Sequence, residues 1–485
     1  TISYPQNSQN NVSYFYGAPG ASDNRAGRIV LEVDGSGGQE HFYGPLGETT
    51  RTIRTIVRAH GNPVTYTTQW RYDTWNRLRE LTYPDGELVT YRYNAGGLLH
   101  DFSGVKAGIT YPYLRQLGTD QFEQRVYLHL GNGTESRYSY EPERRRLHTL
   151  RTETAANRKV MDNVYGYDAV SNILSLANTS PVPAPSLMGG PTTATYQYDD
   201  LYRLTQAQGL WTSPNAKERY SLALAYDSIH NLTTKTQTHD RQPGGSTNWL
   251  PQQKTSYNWA YTYDAQGCAS AAGAGCAGAA GTKPHAASQI GERVFSYDGN
   301  GNQVGWDNLT NGQRRTIVWD EENRIRTVAD NGATQYYTYD GDGERAIKRG
   351  RQGETLYLNA YTVVRNGSTF SKHYFIESQR LVTKLGDMVG TAMLGNQPET
   401  APVAGTTANA GTVPDYGAKT SAATQAMNQS LAALGIDAAV FIAGNSGKTP
   451  PGQVNGTENN GSGNDGTTTG NVPGGGEQFL YYYHG

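Results

Sequence analysis

A short pattern of apolar and polar positions recurs along the chain. An aromatic residue is followed by any residue, then by Tyr or Trp, then by Asp and a short polar or glycine-rich run, usually with an Arg or Asn and an aliphatic residue next. Because strand side chains alternate between two faces, both aromatic residues of a copy project from the same face. The clearest copies are WRYDTWNRL (70–78), YGYDAVSNIL (165–174), YQYDDLYRL (196–204), LAYDSIHNL (224–232), YTYDAQG (261–267), FSYDGNGNQV (295–304), VWDEENRI (318–325) and YTYDGDGERAI (337–347).

Consecutive copies lie about 20–40 residues apart over most of the chain, which is typical of a repeat architecture. Weaker copies, such as YFYGAPG (14–20) and YRYNAGGLL (91–99), fill the remaining stretches. In the copy around Asp340, that carboxylate can accept a hydrogen bond from a backbone N–H two residues on, and Gly341 and Gly343 permit positive φ. Each copy therefore predicts a β-hairpin. Since one hairpin is marginal in water, neighbouring hairpins must pair edge to edge and stack their tyrosines.

The residues that we expect to carry this repeat are the aromatic residues of its strand and the aspartates of its turn. They are Tyr72, Asp73, Tyr165, Tyr167, Asp168, Tyr196, Tyr198, Asp199, Tyr226, Asp227, Tyr261, Tyr263, Asp264, Tyr297, Asp298, Tyr337, Tyr339 and Asp340.

Composition favours the same all-β fold. The 485 residues include 35 Tyr, against 9 Phe and 7 Trp, and 58 Gly, with a hydrophobic content of 36 %. Tyr suits half-buried pleated surfaces, and Gly supplies tight turns. The 41 basic and 43 acidic residues give a net charge of −2, which argues against a nucleic-acid partner.

The stretch YTYDGDGER (337–345) also resembles the start of a calcium loop, because Asp340, Asp342 and Glu344 alternate. Such a loop needs Gly at its sixth position and Glu at its twelfth, where this chain has Arg345 and Arg351. We therefore interpret the stretch as a turn. We find no motif for a catalytic nucleophile, a metal protease or a phosphate loop, and we predict neither an enzyme nor a cofactor or metal site.

The sequence changes character near its end. Residues 386–476 are rich in Gly, Thr, Asn and Pro and are interpreted as an insertion or linker. Within it, Met427, Leu431 and Leu434 have helical spacing and predict one short helix near 419–435, capped by Thr420 or Ser421. A packing helix is favoured over a helix that recognises a partner. Residues 477–485 are expected to begin the next β-segment.

Cys268 and Cys276 are the two cysteines, joined by an Ala/Gly-rich stretch. A disulfide and free thiols are both open interpretations, and a zinc site would need more ligands. IDAAVFIAG (436–444) is too short to span a membrane. The chain begins with Thr1 and not Met, so the lack of a targeting signal means little.

The repeated pattern resembles the tyrosine–aspartate (YD) repeats of the Rhs family, which also occur in the C components of ABC toxin complexes and in teneurins. The resemblance covers about residues 10–385. Further stretches similar to Rhs sequences are TYPDGELVTYRYNAGGLL (82–99), KPHAAS (283–288), KHYFIESQRLVTKL (372–385) and YYYHG (481–485).

The resemblance implies a spiral of repeated β-hairpins over residues 1–385 that forms a shell around a cavity. In this family the shell encapsulates a C-terminal toxin or effector, which is released after the protein's core cleaves itself. We then expect a piece of a longer secreted or cell-surface protein. Its partners would be the remaining Rhs core and cargo, with secretion-system proteins or surface glycans as further possibilities.

Two alternatives stay open. A surface adhesion or carbohydrate-binding protein would present three or more aromatic residues in a solvent-facing strip, whereas a shell would bury them. A propeller-like glycosidase would need two carboxylates roughly 5–10 Å apart in a cleft.

Overall fold

A computed structural model describes residues 1–5, 7–187, 189–263, 283–387, 414–445, 468–469 and 478–481. The described chain is almost entirely antiparallel β-structure, and most strands pair with the strands that precede and follow them. This confirms the predicted all-β fold of repeated hairpins.

The elements follow one another in short, regular steps. After a 3₁₀ turn (Ser8–Asn10), the first strands are β1 (Ser13–Tyr16), β2 (Ile29–Asp34), β3 (Gly37–Tyr43), β4 (Thr49–Ile56), β5 (Val64–Tyr72), β6 (Leu78–Thr82), β7 (Leu88–Tyr93), β8 (Leu99–Lys106), β9 (Ile109–Thr119), β10 (Arg125–Leu130), β11 (Glu135–Tyr140), β12 (Leu147–Glu153), β13 (Lys159–Tyr167), β14 (Ile173–Asn178), β15 (Thr192–Tyr198), β16 (Leu204–Thr212) and β17 (Ala216–Tyr226).

The later elements are β18 (Leu232–Pro243), β19 (Leu250–Pro251), β20 (Tyr257–Thr262), β21 (Gln289–Ile290), β22 (Arg293–Tyr297), β23 (Gln303–Asn308), β24 (Arg314–Trp319), β25 (Ile325–Asp330), β26 (Ala333–Tyr339), β27 (Arg345–Gly350), β28 (Gly353–Asn359), β29 (Thr362–Arg365), β30 (Thr369–Ile376), β31 (Gln379–Asp387), α1 (Tyr416–Ala432), α2 (Ala438–Asn445), β32 (Thr468–Thr469) and β33 (Gln478–Tyr481).

The chain divides into two compact units. Unit 1 consists of the described residues within Thr1–Tyr113, Arg315–Asn455 and Gly470–Leu480. Unit 2 consists of those within Leu114–Arg314, Gly456–Thr469 and Tyr481–Gly485. Unit 1 therefore combines early and late parts of the sequence, whereas unit 2 is built mainly from its middle.

Unit 1 has a core between its early and late strands. Ile56 and Tyr66 of the early strands form one buried cluster with Leu356, Val364 and Phe370 of the late strands. A hydrogen bond of 3.0 Å from the Asn359 amide to the Thr68 hydroxyl joins the same two groups of strands. The apolar side chains thus sit between two facing layers, which is the usual way to bury a sheet face.

Two helices pack on unit 1, where the sequence predicted one helix near 419–435. Helix α1 begins earlier than predicted because the Asp415 carboxylate, and not Thr420 or Ser421, accepts the Ala418 N–H at 2.9 Å. Helix α2 was not predicted from the sequence, because its eight residues are almost all apolar and show no helical alternation of apolar and polar positions. The two helices bury Met427, Leu431 and Phe441 against Ala59 and Tyr336.

Unit 2 has a different pattern of burial. Along β15 and β17, half-buried and exposed positions alternate. The strands pair over long registers, with eleven consecutive partners between β17 and β18. One face of each hairpin is therefore more enclosed than the other, as expected for a sheet with period-two patterning.

Candidate functional site

The turn that follows each YD copy is held by its aspartate. At Asp199, one carboxylate oxygen accepts the backbone N–H of Leu201 at 2.9 Å and that of Arg203 at 3.0 Å. The other oxygen accepts Nε of Arg203 at 2.7 Å. Tyr202 has a φ of 61°, which places it in the left-handed region. The carboxylate thus closes a five-residue loop and positions the side chain at its end.

In other copies, the aspartate likewise accepts hydrogen bonds from the backbone N–H groups of the residues two and four positions after it. The aspartates that accept them are Asp73, Asp168, Asp227, Asp298 and Asp320. Asp340 accepts the Glu344 N–H at 2.8 Å and lies 3.5 Å from the Arg54 guanidinium. In this stretch, which resembled a calcium loop, the carboxylate of Asp340 therefore serves the turn and an ion pair.

The second aromatic residue of a copy binds the preceding hairpin. The Tyr198 hydroxyl donates to the Ile173 carbonyl at 2.9 Å, and the Tyr226 hydroxyl donates to the Leu204 carbonyl at 2.9 Å. Each acceptor is the first residue of the strand that returns from the preceding turn. The same bond is made by Tyr43, Tyr93, Tyr140, Tyr167 and Tyr339 to Ile29, Leu78, Arg125, Leu147 and Ile325. Tyr297 makes a similar bond to the carbonyl of Ala287, which lies just before β21.

Arginine at the end of a turn makes a second link to the next copy. The Arg203 guanidinium lies 4.6 Å from the centre of the Tyr226 ring and donates to the Asp227 carbonyl at 3.2 Å. Arg324 makes the same contacts with Tyr339, at 5.1 Å, and with the Asp340 carbonyl, at 3.4 Å. We term this arrangement the turn ladder. It consists of the turn aspartates, the tyrosines that bond neighbouring hairpins and, in the copies that have it, the arginine at the end of the turn.

The predicted repeat tyrosines are half-buried. Tyr72, Tyr165, Tyr167, Tyr196, Tyr198, Tyr226, Tyr261, Tyr263, Tyr297, Tyr337 and Tyr339 all share this intermediate exposure. Tyr165 and Tyr167 lie side by side with ring centres 6.5 Å apart and an interplanar angle of 18°. The predicted Asp264, Cys268 and Cys276 lie outside the described residues.

A second arrangement, which we term the ion cluster, consists of Asp85, Glu87, Lys106, Lys372 and Lys384 in unit 1. The side chains of both carboxylates and of Lys372 and Lys384 have 0 % exposure. The Lys372 ammonium lies 2.8 Å from Asp85 and also contacts Glu87. Lys106 lies 2.9 Å from Asp85, and Lys384 lies 3.4 Å from Glu87. Buried ions of both signs thereby compensate one another.

Tyrosines enclose the ion cluster. The hydroxyls of Tyr113 and Tyr374 lie 2.9 Å apart, and both contact the Glu87 carboxylate. The Lys384 ammonium lies 3.6 Å from the centre of the Tyr111 ring. The Tyr83 hydroxyl donates to the His373 carbonyl at 2.9 Å. These bonds connect the early stretch 82–99 with the late stretch 372–385, which the sequence had singled out separately.

Electrostatics in the ion cluster favour charged carboxylates and neutral phenols. Burial alone would raise the pKa of Asp85, but the charge of Lys372 and hydrogen bonds from Lys372 and Lys106 lower it to about 2. The pKa of Glu87 is likewise lowered, because Lys372 and Lys384 outweigh its burial. Burial raises the pKa of Tyr113 and Tyr374 well above the usual value, so their hydroxyls remain donors.

Sequence reasoning missed the ion cluster and the interhairpin tyrosine bond. A signal for the tyrosine bond was available, since the accepting carbonyl in several copies belongs to the aliphatic residue five positions after the aspartate, as in Leu204 and Ile325. The ion cluster had no comparable signal, because charged residues in strands are most often exposed. Within the described ranges, no group of three or more His, Cys, Asp or Glu side chains could hold a metal ion.

Comparisons with known proteins agree with this architecture. No protein-family model matches the chain. The toxin subunits YenC1 and YenC2 of Yersinia entomophaga are each 30 % identical to it, over 156 and 159 residues, which is 30 % of this chain and 16 % of each relative.

Solved structures resemble a larger share of the chain. The crystal structure of TcdB2–TccC3 without its hypervariable C-terminal region has a TM-score of 0.61 and covers 80 % of this chain at 19 % identity. The TcdB2–TccC3–Cdc42 structure has a TM-score of 0.59 and covers 78 % at 19 % identity. This chain matches 20 % and 19 % of their lengths.

These matches show which proteins the chain is similar to. At 19 % identity, the likeness to the solved structures shows the fold. The curated relatives are toxin subunits. The resemblance to Rhs proteins and to the C components of ABC toxins is thereby confirmed. The chain spans 16 % of the length of the curated relatives that it matches.

Proposed function

We propose that this chain is a structural wall segment of an Rhs-like protein, and that the wall encloses a C-terminal toxin or effector until its release. The observation that carries the proposal is the turn ladder. Successive hairpins are bonded to one another by their backbone, by a tyrosine and, in several copies, by an arginine, so the sheet can extend by adding similar units.

Containment would need a barrier and no catalytic chemistry. Strands that pair along their whole length leave few openings for a protease or for diffusing solutes, and the aspartate loops keep the hairpin ends short. The ion cluster would hold the early and late strands of unit 1 together. We therefore propose a role that is not enzymatic.

The position of the repeat tyrosines favours a wall over an adhesive or sugar-binding surface. Tyr198, Tyr226 and Tyr339 are half-buried, and their hydroxyls are occupied by backbone carbonyls. A sugar-binding strip would need ring faces that are open to solvent. The ladder instead uses ring faces such as that of Tyr226 for contact with arginine.

The partners would be other parts of the same polypeptide, namely the remaining core and its cargo. The relatives YenC1 and YenC2 are toxin subunits, which supports this proposal and a site of action outside the producing cell. Among the described helices, none is both long and apolar enough to cross a membrane.

The test is limited proteolysis of the natural full-length polypeptide that contains this chain. We expect its C-terminal segment to resist a protease that rapidly digests the same segment produced alone, and a density map should show that segment within the strand wall. A double Tyr198→Ala and Tyr226→Ala variant should lose part of the protection. Equal digestion of the joined and separate segments would refute containment.

A further inference from the structure

Glu32 of β2 is a buried carboxyl group that the turn ladder and the ion cluster do not use. It is 7 % exposed, and within the described part of the chain its carboxyl group makes neither a hydrogen bond nor an ion pair. Because this carboxyl group is largely removed from water and has no cation paired with it, its protonated form is favoured.

The guanidinium of Arg54, in the same cross-strand row, binds other groups. Glu32 lies in a cross-strand row with Tyr14 of β1, Gln39 of β3 and Arg54 of β4. The Arg54 guanidinium lies 3.6 Å from Asp34 and 3.5 Å from Asp340, and it donates to the Ser36 hydroxyl at 2.6 Å.

A distant hairpin turn covers the Glu32 carboxyl group. A Cβ placed on Gly341 would clash with Glu32 Oε1 and lie 2.9 Å from a methyl group of Val12, so the carboxyl group packs directly against this glycine. The Gly341 N–H donates to Asp34 at 2.9 Å. We term the contact of Glu32 and Asp34 with the turn from Asp340 to Asp342 the carboxylate seam.

We propose that the carboxylate seam is a pH-sensitive latch in unit 1. Protonated Glu32 lets the Asp340 turn rest on β2, and its ionisation loosens that contact. The inference deepens the proposed wall function, on which its biological meaning rests, because it joins an early strand of the wall to a hairpin about 300 residues later in the sequence.

The charges around the latch support this assignment. Burial, followed by the charges of Asp342 and Asp34, raises the pKa of Glu32 to about 7, although Arg54 opposes the shift. Burial also raises the pKa of Asp340. Above neutral pH, a single guanidinium would therefore face several carboxylates.

Other titratable groups also face the seam. Burial raises the pKa of Tyr14 on β1 and lowers the pKa of His41 on β3. From α1, the Lys419 ammonium donates to the Asp34 carbonyl at 2.7 Å, and burial raises the pKa of Tyr416. Tyrosines whose pKa is raised do not titrate near neutral pH. The lowered pKa of His41 gives a pH dependence opposite to that of Glu32.

The sign of the pH dependence follows from the raised pKa. The folded seam binds its proton more tightly than the unfolded chain, whose Glu has an ordinary pKa of 4.5. The stabilisation is fully present below that value and is lost as the pH rises through about 7. His41 contributes in the opposite direction, so a Glu32 variant is needed to isolate the latch.

Hydrogen exchange tests the latch on the chain itself. Amide protection is measured for peptides that cover residues 29–34 and 337–347 at about pH 5.5 and about pH 8, corrected for intrinsic exchange. In the natural sequence, we expect protection of these peptides to fall on the order of tenfold to a hundredfold at the higher pH. Glu32→Gln should keep its protection at both values.

Matched controls make the result decisive. Glu143→Gln changes an exposed glutamate of unit 2 and should behave like the natural sequence. Asp342→Asn should reduce the pH response if Glu32→Gln does not fold. An equal fall in the natural protein and in Glu32→Gln, or an equal fall in peptides from β15, would overturn the latch. Failure of containment with a normal latch response would refute the proposed function alone.

Discussion

Unit 1 and unit 2 use the same hairpin, but different contacts hold the hairpins together. In unit 1, residues far apart in the sequence meet, as Ile56 does with Phe370 and Asp85 with Lys372. In unit 2, the strands from β10 to β18 pair with their neighbours in the sequence, and burial alternates along β15. Long-range contacts therefore add to the stability of unit 1, whereas unit 2 depends chiefly on local ones.

The difference predicts two kinds of unfolding. In a repeat array, stability is approximately a sum of terms within and between neighbours, so a defect in unit 2 should remain near its site. In unit 1, a lost contact between early and late strands should weaken both groups of strands together.

The largest expected effect is the loss of one ion in the ion cluster. Lys372→Met should lower the free energy of unfolding of unit 1 by about 3 kcal/mol, because it removes one cation from two buried carboxylates. Urea unfolding measures the loss, and Lys254→Met, at an exposed position of unit 2, is the control. A loss below about 1 kcal/mol would show that the remaining lysines compensate both carboxylates.

The next largest effect is expected at low pH, in the ion cluster of unit 1. Asp85 has an ordinary pKa of 3.8 and a folded value of about 2, so its stabilisation is present above about 4 and is lost as the pH falls through 2. This shift corresponds to about 2 kcal/mol. The midpoint of urea unfolding of the natural protein should fall more steeply below pH 4 than that of Asp85→Asn. Parallel slopes would mean that other carboxylates dominate.

A smaller effect is expected from one rung of the turn ladder. Tyr198→Phe keeps the half-buried ring but removes the bond to the Ile173 carbonyl, which should cost about 1 kcal/mol. Hydrogen exchange should show the loss in β14 to β16 of unit 2, with unit 1 unchanged. A loss of protection that extends to β30 would contradict the local character of unit 2.

The smallest expected effect is stabilising. Tyr202 is 60 % exposed and has a φ of 61°, at the position where the Asp340 copy has Gly343 with a φ of 84°. Tyr202→Gly should relieve the strain and raise the free energy of unfolding by about 0.5 kcal/mol. Leu201→Gly, at the preceding exposed position, should give no such gain. Equal effects of the two substitutions would remove the conformational explanation.

Local features of the structure could be predicted from the sequence. In the turn of Asp73, for example, the aspartate, Asn76 and Arg77 lie within five residues, so their geometry hardly depends on the rest of the chain. The first helix was also predicted, although its boundaries shifted to Tyr416 and Ala432 because the cap is Asp415. The second helix was missed because an apolar run of eight residues has no distinctive period.

By itself, the sequence determined the repeated strand, the loop and the all-β class, because these depend on backbone preferences and on hydrogen bonds between close neighbours. The tertiary structure alone decided which distant side chains share a buried environment. Asp85 meets Lys372, and Glu32 meets the turn at Gly341, across nearly 300 residues or more. Burial and charge compensation arise only after such segments pack together, and they make these carboxylates chemically different from the half-buried carboxylates of the turns.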